Sequence, residues 1–216
     1  MTILLPGDAM VALVGIAGSG KSTFAQAHFA PTEILSSDAF RGVVADDESD
    51  QSASEDAFAL LHAALRLRLR RGRLTVVDAT NVEEWGRRQL LDIAGQERRA
   101  AVAIVLDLPV EVCLERLGGR GARPVPPHAV RRQHRELHGS LPTLGAEGFR
   151  TVYVIESAAE ADAARIERAP RGSAGHNAMS RRNRARRDDA RSSNRHRNAS
   201  CNLVIRLHCP FGTTAE

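Results

Sequence analysis

A single lysine stands in a glycine-rich run near the start of the chain. The 216 residues include 30 lysines and arginines, and Lys21 is the only lysine among them. It lies in the octapeptide GIAGSGKS, residues 15–22, which matches the pattern Gly-x4-Gly-Lys-Ser/Thr in full. A compact ammonium suits a phosphate group as a point charge, whereas arginine presents a planar fork. An arginine-biased composition with one lysine left by chance is the alternative, and the intact pattern argues against it.

The chemistry of this run is the binding of a nucleoside triphosphate. Glycines let backbone N–H groups turn inward around phosphate oxygens, and the following helix adds the partial positive charge of its N-terminus. We expect Lys21 to reach the β- and γ-phosphates and the Ser22 hydroxyl to bind Mg²⁺. The sequence therefore predicts ATP, or another nucleoside triphosphate, and magnesium at a site formed by Gly15, Gly18, Ser19, Gly20, Lys21, Ser22 and Thr23.

A carboxylate follows the second predicted strand, in the run Ser36-Ser37-Asp38. Asp38 at that strand end would point into the crevice beside the triphosphate, where it could take a proton from an attacking hydroxyl or orient it. Arg41, three residues on, would share its face of a helix and hold an anionic acceptor. Alternatively, Asp38 only caps a short helix that starts at Phe40.

A second carboxylate, Asp78, ends the run Leu74-Thr75-Val76-Val77. An aspartate after a β-branched strand beside the phosphate loop is typical of the group that orients magnesium, so we assign Ser22 and Asp78 to the metal; a simple turn aspartate is the alternative. Thr80 and Asn81 are candidate contacts to phosphate or acceptor, although Asn81 could instead cap the next helix.

Three arginines separated by glycines, Arg116, Arg120 and Arg123, form a third group. Such a segment is poor core and poor regular helix, but it suits a lid that brings guanidinium groups onto a triphosphate. A closed lid would place fixed positive charge on the transferring phosphoryl group, a catalytic role that we assign to Arg123 together with Lys21. Taken alone, a solvated basic loop would explain the segment as well.

The elements that position these residues alternate regularly between strand and helix. Apolar runs predict strands at 10–14, 33–36, 74–77, 102–106 and 151–155, and helical periodicity predicts helices at 22–29, 53–71, 83–95, 109–117 and 128–140. This alternation indicates an α/β fold with a five-stranded parallel sheet, helices on both faces and an arginine-bearing lid. Ligands of such sheets bind at the carboxyl ends of the strands.

Composition divides the chain into a domain at 1–170 and a tail at 171–216. The tail carries ten arginines and three acidic residues, so it accounts for the net charge of +4. With no apolar periodicity before Leu203, we expect it to be disordered. It is either a non-specific nucleic-acid arm or a non-native C-terminal end, and the abrupt change in composition favours the second.

Composition also bears on compartment and ligands. We expect a cytoplasmic protein with no membrane contact, since the N-terminus lacks a signal-like segment and no stretch is apolar enough to span a bilayer. Three cysteines without metal-ligand spacing make a disulfide frame unexpected. His128, His134 and His138 are interpreted as partly exposed helix positions rather than ligands.

Taken together, these motifs resemble the kinase domain of bacterial polynucleotide kinase-phosphatase, an RNA end-repair family. The likeness covers about residues 5–168 and rests on several motifs in the right order: the phosphate loop, PTEILSSD at 31–38 with Arg41, the acidic DDESDQ at 46–51, LTVVDATN at 74–81, the lid arginines, and GFR at 148–150.

The resemblance implies transfer of the γ-phosphate of ATP, or another nucleoside triphosphate, to the 5′-hydroxyl end of RNA or DNA. Asp38 matches the general base of the family, and Arg41 matches the residue that grips the phosphate next to that end. Lys21, Ser22 and the lid arginines match its triphosphate and magnesium contacts. Proteins of this family continue into a phosphatase and a nucleotidyltransferase module, whereas this sequence continues into the arginine-rich tail, so we expect neither activity here.

Two other classes of function stay open. A kinase for a small hydroxyl compound, such as a sugar acid or an antibiotic, would share the loop, Asp38, Asp78 and the lid. A nucleotide-dependent binding protein would not need a carboxylate at the acceptor hydroxyl, so Asp38 argues against it. The oligomeric state is also open, with a homodimer among the alternatives.

Overall fold

The computed structural model describes residues 1–119 and 125–169 and, for residues 203–205, the backbone alone. Its strands are β1 (Thr2–Pro6), β2 (Met10–Val14), β3 (Ile34–Ser36), β4 (Thr75–Asp78), β5 (Ala101–Leu106), β6 (Thr151–Ile155), β7 (Arg165–Ala169) and β8 (Leu203–Ile205). Its helices are α1 (Lys21–His28), α2 (Ser37–Ala45), α3 (Ser54–Arg70), α4 (Glu84–Gln96), α5 (Val110–Gly118), α6 (Pro127–Ser140) and α7 (Ala158–Asp162). Short 3-10 turns occur at Pro31–Glu33, Gln51–Ala53 and Leu144–Ala146.

The main sheet is parallel throughout, with strand order β3-β4-β2-β5-β6-β8. Every residue of β2, β4 and β5 is buried, as expected for central strands that are covered by helices on both faces. The five-stranded parallel α/β prediction is confirmed, and each of those strands starts and ends within one residue of its predicted position. The structure adds β8 as a sixth strand beside β6.

The register of the sheet aligns the ends of three strands at one edge. Asp78 on β4 lies opposite Leu13 on β2 and opposite Ser36 on β3. The phosphate loop follows β2 and the Ser37–Ala45 helix follows β3, so both segments leave the sheet beside Asp78. The phosphate loop, the Asp38 helix and the loop after Asp78 therefore start from the same carboxyl edge.

Three strands and one helix were not predicted from the sequence: β1, β7, β8 and α7. Strands β1 and β7 form a small parallel sheet, which the Tyr153 hydroxyl joins to the main sheet by accepting from the backbone N–H of Leu4 at 3.1 Å. Helix α2 begins at Ser37, three residues before the short helix that the sequence suggested at Phe40. The hydroxyl of Ser36 caps this helix by accepting from Ala39 N at 3.4 Å.

Helix α3 packs through a regular apolar stripe. Ala57, Leu61, Leu65 and Leu69 are buried at four-residue spacing, and Phe58 is only partly buried. Helices α2 and α3 pack against each other, which holds the segment after β3 against the domain.

Several predictions fall on residues outside the described part of the chain. Arg120 and Arg123 of the predicted lid are among them, and so is all of the predicted tail at 171–216 except the backbone of β8. In the described residues, no helix combines the length and the apolar character that crossing a membrane requires.

Candidate nucleotide and acceptor site

The phosphate loop connects β2 to α1, which is the arrangement that its sequence predicts. Lys21 is the first residue of α1 and is only 8% exposed. Its ammonium donates to the carbonyl oxygens of Gly15 and Ile16, both at 2.9 Å. The charged group therefore lies against the start of the loop, and the loop curves around it.

Glycine is required at two points of the loop. Gly18 and Gly20 have φ angles of 82° and 94°, in the left-handed region where side chains are strained. A Cβ on Gly18 would also lie 2.4 Å from the carbonyl oxygen of Cys113 on α5. Burial raises the pKa of the Cys113 thiol, which stays protonated at neutral pH. The loop thus packs directly against α5, and only a residue without a side chain fits.

A buried hydroxyl in the loop fits a phosphate ligand. Ser19 is 1% exposed, and among the residues that the structure describes its Oγ has no hydrogen-bond partner. An unsatisfied buried polar atom is costly, and a phosphate oxygen could accept a hydrogen bond from this hydroxyl. Ser22 and Thr23 lie beside it in the first turn of α1, and both are exposed. The residues present therefore fit the triphosphate that the loop pattern predicts.

Asp78 is the buried carboxylate at the end of β4. Burial raises its pKa; a hydrogen bond from Ser22 and the charge of Lys21 oppose this, and the charge of Asp38 adds to it. These interactions place Asp78 next to Ser22, the other predicted magnesium ligand, and near both Lys21 and Asp38. Oxygen ligands from Ser22 and Asp78 are those that Mg²⁺ prefers, so this donor set fits the ion.

Asp38 and Arg41 form an ion pair across one turn of α2. Arg41 Nη2 contacts Asp38 Oδ1, and Arg41 Nε donates to the carbonyl oxygen of Glu48 at 2.9 Å. The side chain of Arg41 is 8% exposed and that of Asp38 is 51% exposed. Ser36, not Asp38, is the cap of this helix, so the alternative role of Asp38 as a helix cap is wrong.

Thr80 and Asn81 follow Asp78 in the loop that joins β4 to α4. The backbone N–H of Gly15 donates to Thr80 O at 2.9 Å, and the side-chain amide of Asn81 donates to Leu13 O at 2.7 Å. Asn81 thus holds this loop against β2 and does not cap α4, whose N-cap residue is Glu83. The loop is fixed relative to the phosphate loop.

A fully buried arginine hydrogen-bonds to the backbone of the same loop. Arg87 on α4 donates to the carbonyl oxygens of Asn81 and Val82 at 3.0 and 2.7 Å. It also forms a bidentate pair with Glu147 at 2.7 and 2.5 Å. The role of Arg87 was not predicted, since nothing in the local sequence pattern distinguishes it from its exposed neighbour Arg88.

Arg116 is the one predicted lid arginine within the described residues. It is exposed on the last turn of α5, and its Nη1 lies 3.4 Å from the position a Cβ on Gly20 would take. Beside it is a cavity of about 480 Å³, between the phosphate loop and α7. The cavity adjoins the phosphate cradle, so it is a candidate space for the base and sugar of a nucleotide. Its walls include residues that sequence analysis missed: Phe24, His28, Leu106, Ala158, Ala161 and Asp162.

A glutamine on α6 also contacts the phosphate loop. The Gln133 side chain accepts a hydrogen bond from the backbone N–H of Ala17 at 2.9 Å. The two residues are 116 positions apart in sequence, so no local pattern could reveal this contact. Through Gln133, the helix that follows the lid segment is joined to the loop.

This fold is that of the P-loop kinases. Residues 10–142, more than half of the chain, match a family described as an AAA domain, AAA_33, and the chain belongs to that family. Among curated proteins, no sequence matches it significantly.

Solved structures show the same fold. A chain of the Pnkp1/Rnl/Hen1 RNA repair complex matches with a TM-score of 0.54 and 27% identity, over 64% of this chain and 47% of the other. Our chain thus spans about half the length of that relative. A putative kinase from Chloroflexus aurantiacus matches with a TM-score of 0.52 and 18% identity over 70% and 86%. A chain of the AvrRxo1-ORF1:-ORF2 complex with ATP matches with a TM-score of 0.54 and 17% identity, over 72% of this chain and 55% of the other.

Proposed function

We propose that this kinase transfers the γ-phosphate of ATP, or another nucleoside triphosphate, to the 5′-hydroxyl end of RNA or DNA. The observation that carries the proposal is the Asp38–Arg41 pair at the carboxyl edge of the sheet, close enough to Asp78 for its charge to be felt there. A carboxylate and a guanidinium one helical turn apart can serve a hydroxyl and the phosphate next to it.

Exposure of the Asp38 side chain favours a large acceptor. At 51% exposed, this carboxylate is reached from solvent, whereas a small-molecule site buries most of its ligand in a pocket. The end of a polynucleotide brings only its terminal hydroxyl and phosphate into the site, with the rest of the strand outside. A half-exposed base beside a nearly buried arginine suits that geometry.

The proposed reaction begins with proton transfer to Asp38. As the 5′ oxygen loses its proton to the carboxylate, it forms a bond to the γ-phosphorus, and the bond from that phosphorus to the β–γ bridging oxygen breaks. The electron pair stays with the leaving oxygen, so the products are the nucleoside diphosphate and a 5′-phosphorylated end. Arg41 holds the phosphate next to the 5′-hydroxyl. Thr80 and Asn81, in the loop after β4, line the acceptor site.

On the donor side, the backbone amides from Gly15 to Ser22 and the Lys21 ammonium bind the phosphates. Ser22 and Asp78 would hold Mg²⁺, which neutralises charge on the β- and γ-phosphates when bound. Arg116 lies against the loop, and we assign it with Arg120 and Arg123 to the triphosphate; Arg123 carries the role of stabilising the transferring group.

The comparison with known structures supports the same class of acceptor. Of the matches above, the chain from the RNA repair complex combines a TM-score above 0.5 with 27% identity. The other two are below 20% identical and speak for the fold alone. Order and spacing of the motifs from 15–22 to 148–150 point to the same family.

Incubation with γ-labelled ATP, Mg²⁺ and a 5′-hydroxyl oligonucleotide, beside a panel of small hydroxyl compounds, tests the proposal. We expect label on the oligonucleotide and none on the small compounds. Label on a sugar acid or antibiotic alone would replace the polynucleotide by a small acceptor. Release of inorganic phosphate with no labelled acceptor would contradict acceptor transfer altogether.

A further inference from the structure

Three metal-binding side chains meet on the far side of the phosphate loop from Asp38. Asp107 directly follows β5, and His134 and His138 are one turn apart on α6. His138 Nε2 lies 2.9 Å from Asp107 Oδ1, and the two imidazole rings are 4.2 Å apart between centroids. One ligand atom from each of the three residues lies within 4.8 Å of the other two.

These separations suit a tetrahedrally coordinated ion with little movement of the three side chains. Zinc bonds of about 2.0–2.2 Å to nitrogen and oxygen place neighbouring ligand atoms about 3.3–3.5 Å apart. That distance lies between the 2.9 Å of the His138–Asp107 contact and the 4.8 Å limit of the cluster. Small rotations of the two imidazoles would therefore bring all three atoms to bonding distance of one ion.

The donor types and their access narrow the choice of ion. Two imidazoles with one carboxylate favour Zn²⁺, Co²⁺ or Ni²⁺, whereas Mg²⁺ prefers oxygen ligands. His138 is half-exposed and Asp107 nearly buried, so an ion and a water ligand can enter from the His138 side. The backbone N–H of Asp107 donates to Ile155 O at 2.8 Å, which fixes this residue at the end of β5 before any ion binds.

We propose that Asp107, His134 and His138 bind one Zn²⁺ ion that fastens α6 to the end of β5. This site is separate from the magnesium ligands Ser22 and Asp78. Gln133, next to His134, accepts from Ala17 N in the phosphate loop. Zinc would therefore fix the turn of α6 that contacts the loop, a role that does not depend on which acceptor the kinase uses.

Calorimetric titration of the full-length chain with Zn²⁺, in excess Mg²⁺, tests this assignment. Other histidines and cysteines of the chain can also bind zinc, so the informative quantity is the difference in equivalents between variants. We expect His138→Ala and Asp107→Asn each to lose one equivalent relative to wild type. His128→Ala, on the same helix and outside the cluster, should lose none.

A fold check and a replacement variant make the outcome decisive. Circular dichroism of each variant without metal checks that the fold is intact, and His134→Ala replaces any variant that is not folded. Equal zinc stoichiometry in wild type and in the folded cluster variants would overturn the proposal and leave an ordinary ion pair. Loss of the same equivalent in His128→Ala would overturn it as well. The polynucleotide assay is unaffected by either result, so the two proposals fail separately.

Discussion

Arg41 is held against Asp38 by an ion pair along one turn of α2, and it is the nearly buried member of the pair. Its second contact, to the carbonyl oxygen of Glu48, joins it to the turn before α3. The arginine is therefore positioned before any acceptor arrives, and the carboxylate that it orients faces solvent. Preorganised charges of this kind require little rearrangement when substrate binds.

Replacing Arg41 with alanine should weaken use of the oligonucleotide and spare ATP. A lost charged contact to phosphate costs about 1.5–3 kcal/mol, or roughly 10- to 150-fold in kcat/KM for the oligonucleotide. Steady-state kinetics with each substrate varied in turn give the two values. Arg88→Ala, an exposed arginine on α4, is the control and should change neither. Equal losses toward ATP and oligonucleotide would count against the acceptor role.

Substitution of Gly18 by alanine should abolish nucleotide binding. The left-handed backbone costs an alanine about 1–2 kcal/mol, and its Cβ would clash with Cys113 O at 2.4 Å, which forces the loop off α5. Fluorescent ATP-analogue binding measures the loss. Gly86→Ala provides the matched control, because a Cβ there meets no described atom within 4 Å. Being helical, it should be neutral or stabilising by about 0.5–1 kcal/mol. Normal nucleotide affinity in Gly18→Ala would refute the packing argument.

Asp78→Asn should make the protein more stable while it reduces phosphoryl transfer. Burial raises the pKa of Asp78 above its unfolded value, so the folded protein binds more protons between the two pKa values. The free energy of unfolding then falls as pH rises through that window. Asparagine is neutral throughout, so without Mg²⁺ and nucleotide the variant should be more stable than wild type at pH 7, with a difference that shrinks in acid.

Differential scanning fluorimetry across pH measures this difference, because 1 kcal/mol moves the Tm of a chain this size by about 2–4 °C. Phosphoryl transfer by the same variant should nevertheless be strongly reduced. Asp92→Asn, an exposed aspartate on α4, is the control and should follow wild type. A variant less stable than wild type at every pH would show that burial of the Asp78 carboxylate does not destabilise the folded protein.

Arg87→Met should be the most destabilising of these changes. It removes one partner of a buried ion pair and leaves Glu147 and two loop carbonyls unsatisfied, at a cost of about 3–5 kcal/mol. Denaturant unfolding gives the value. Arg88→Met, its exposed neighbour, should stay within about 0.5 kcal/mol of wild type. Similar losses in both variants would mean that the loop after β4 does not depend on this pair.

Local patterns in the sequence predicted much of the fold. Strands such as Ala101–Leu106 are continuous apolar runs, and the helices between them are periodic, so type and position were both readable. Strand β7 was not predicted because RIERA is mostly exposed and pairs with β1, 163 residues away in the sequence. The start of α2 was placed three residues too late, at Phe40 and not at Ser37, because its serines and aspartate are typical of a turn.

The residues of the candidate site likewise fall into those that the sequence predicted and those that it did not. The loop from Gly15 to Ser22 is contiguous, so its chemistry was legible from the sequence alone. Gln133 and the walls of the nucleotide cavity on α7 come from distant segments and carry no motif. The pairing of Asp38 with Arg41 was foreseen as a shared helical face, but the near-complete burial of Arg41 depends on the turn at Glu48. Packing between distant segments decides such features.

The central claim is best tested by one comparison of acceptors. Two oligonucleotides of identical sequence, one with a 5′-hydroxyl and one with a 5′-phosphate, are incubated with γ-labelled ATP and either wild type or Asp38→Asn. Asparagine can still accept from Arg41 but is a far weaker base, so ATP should bind normally while transfer falls by about 100-fold or more. Label on the 5′-hydroxyl strand with wild type alone is the predicted result. Equal labelling of both strands, or full turnover by Asp38→Asn, would contradict it.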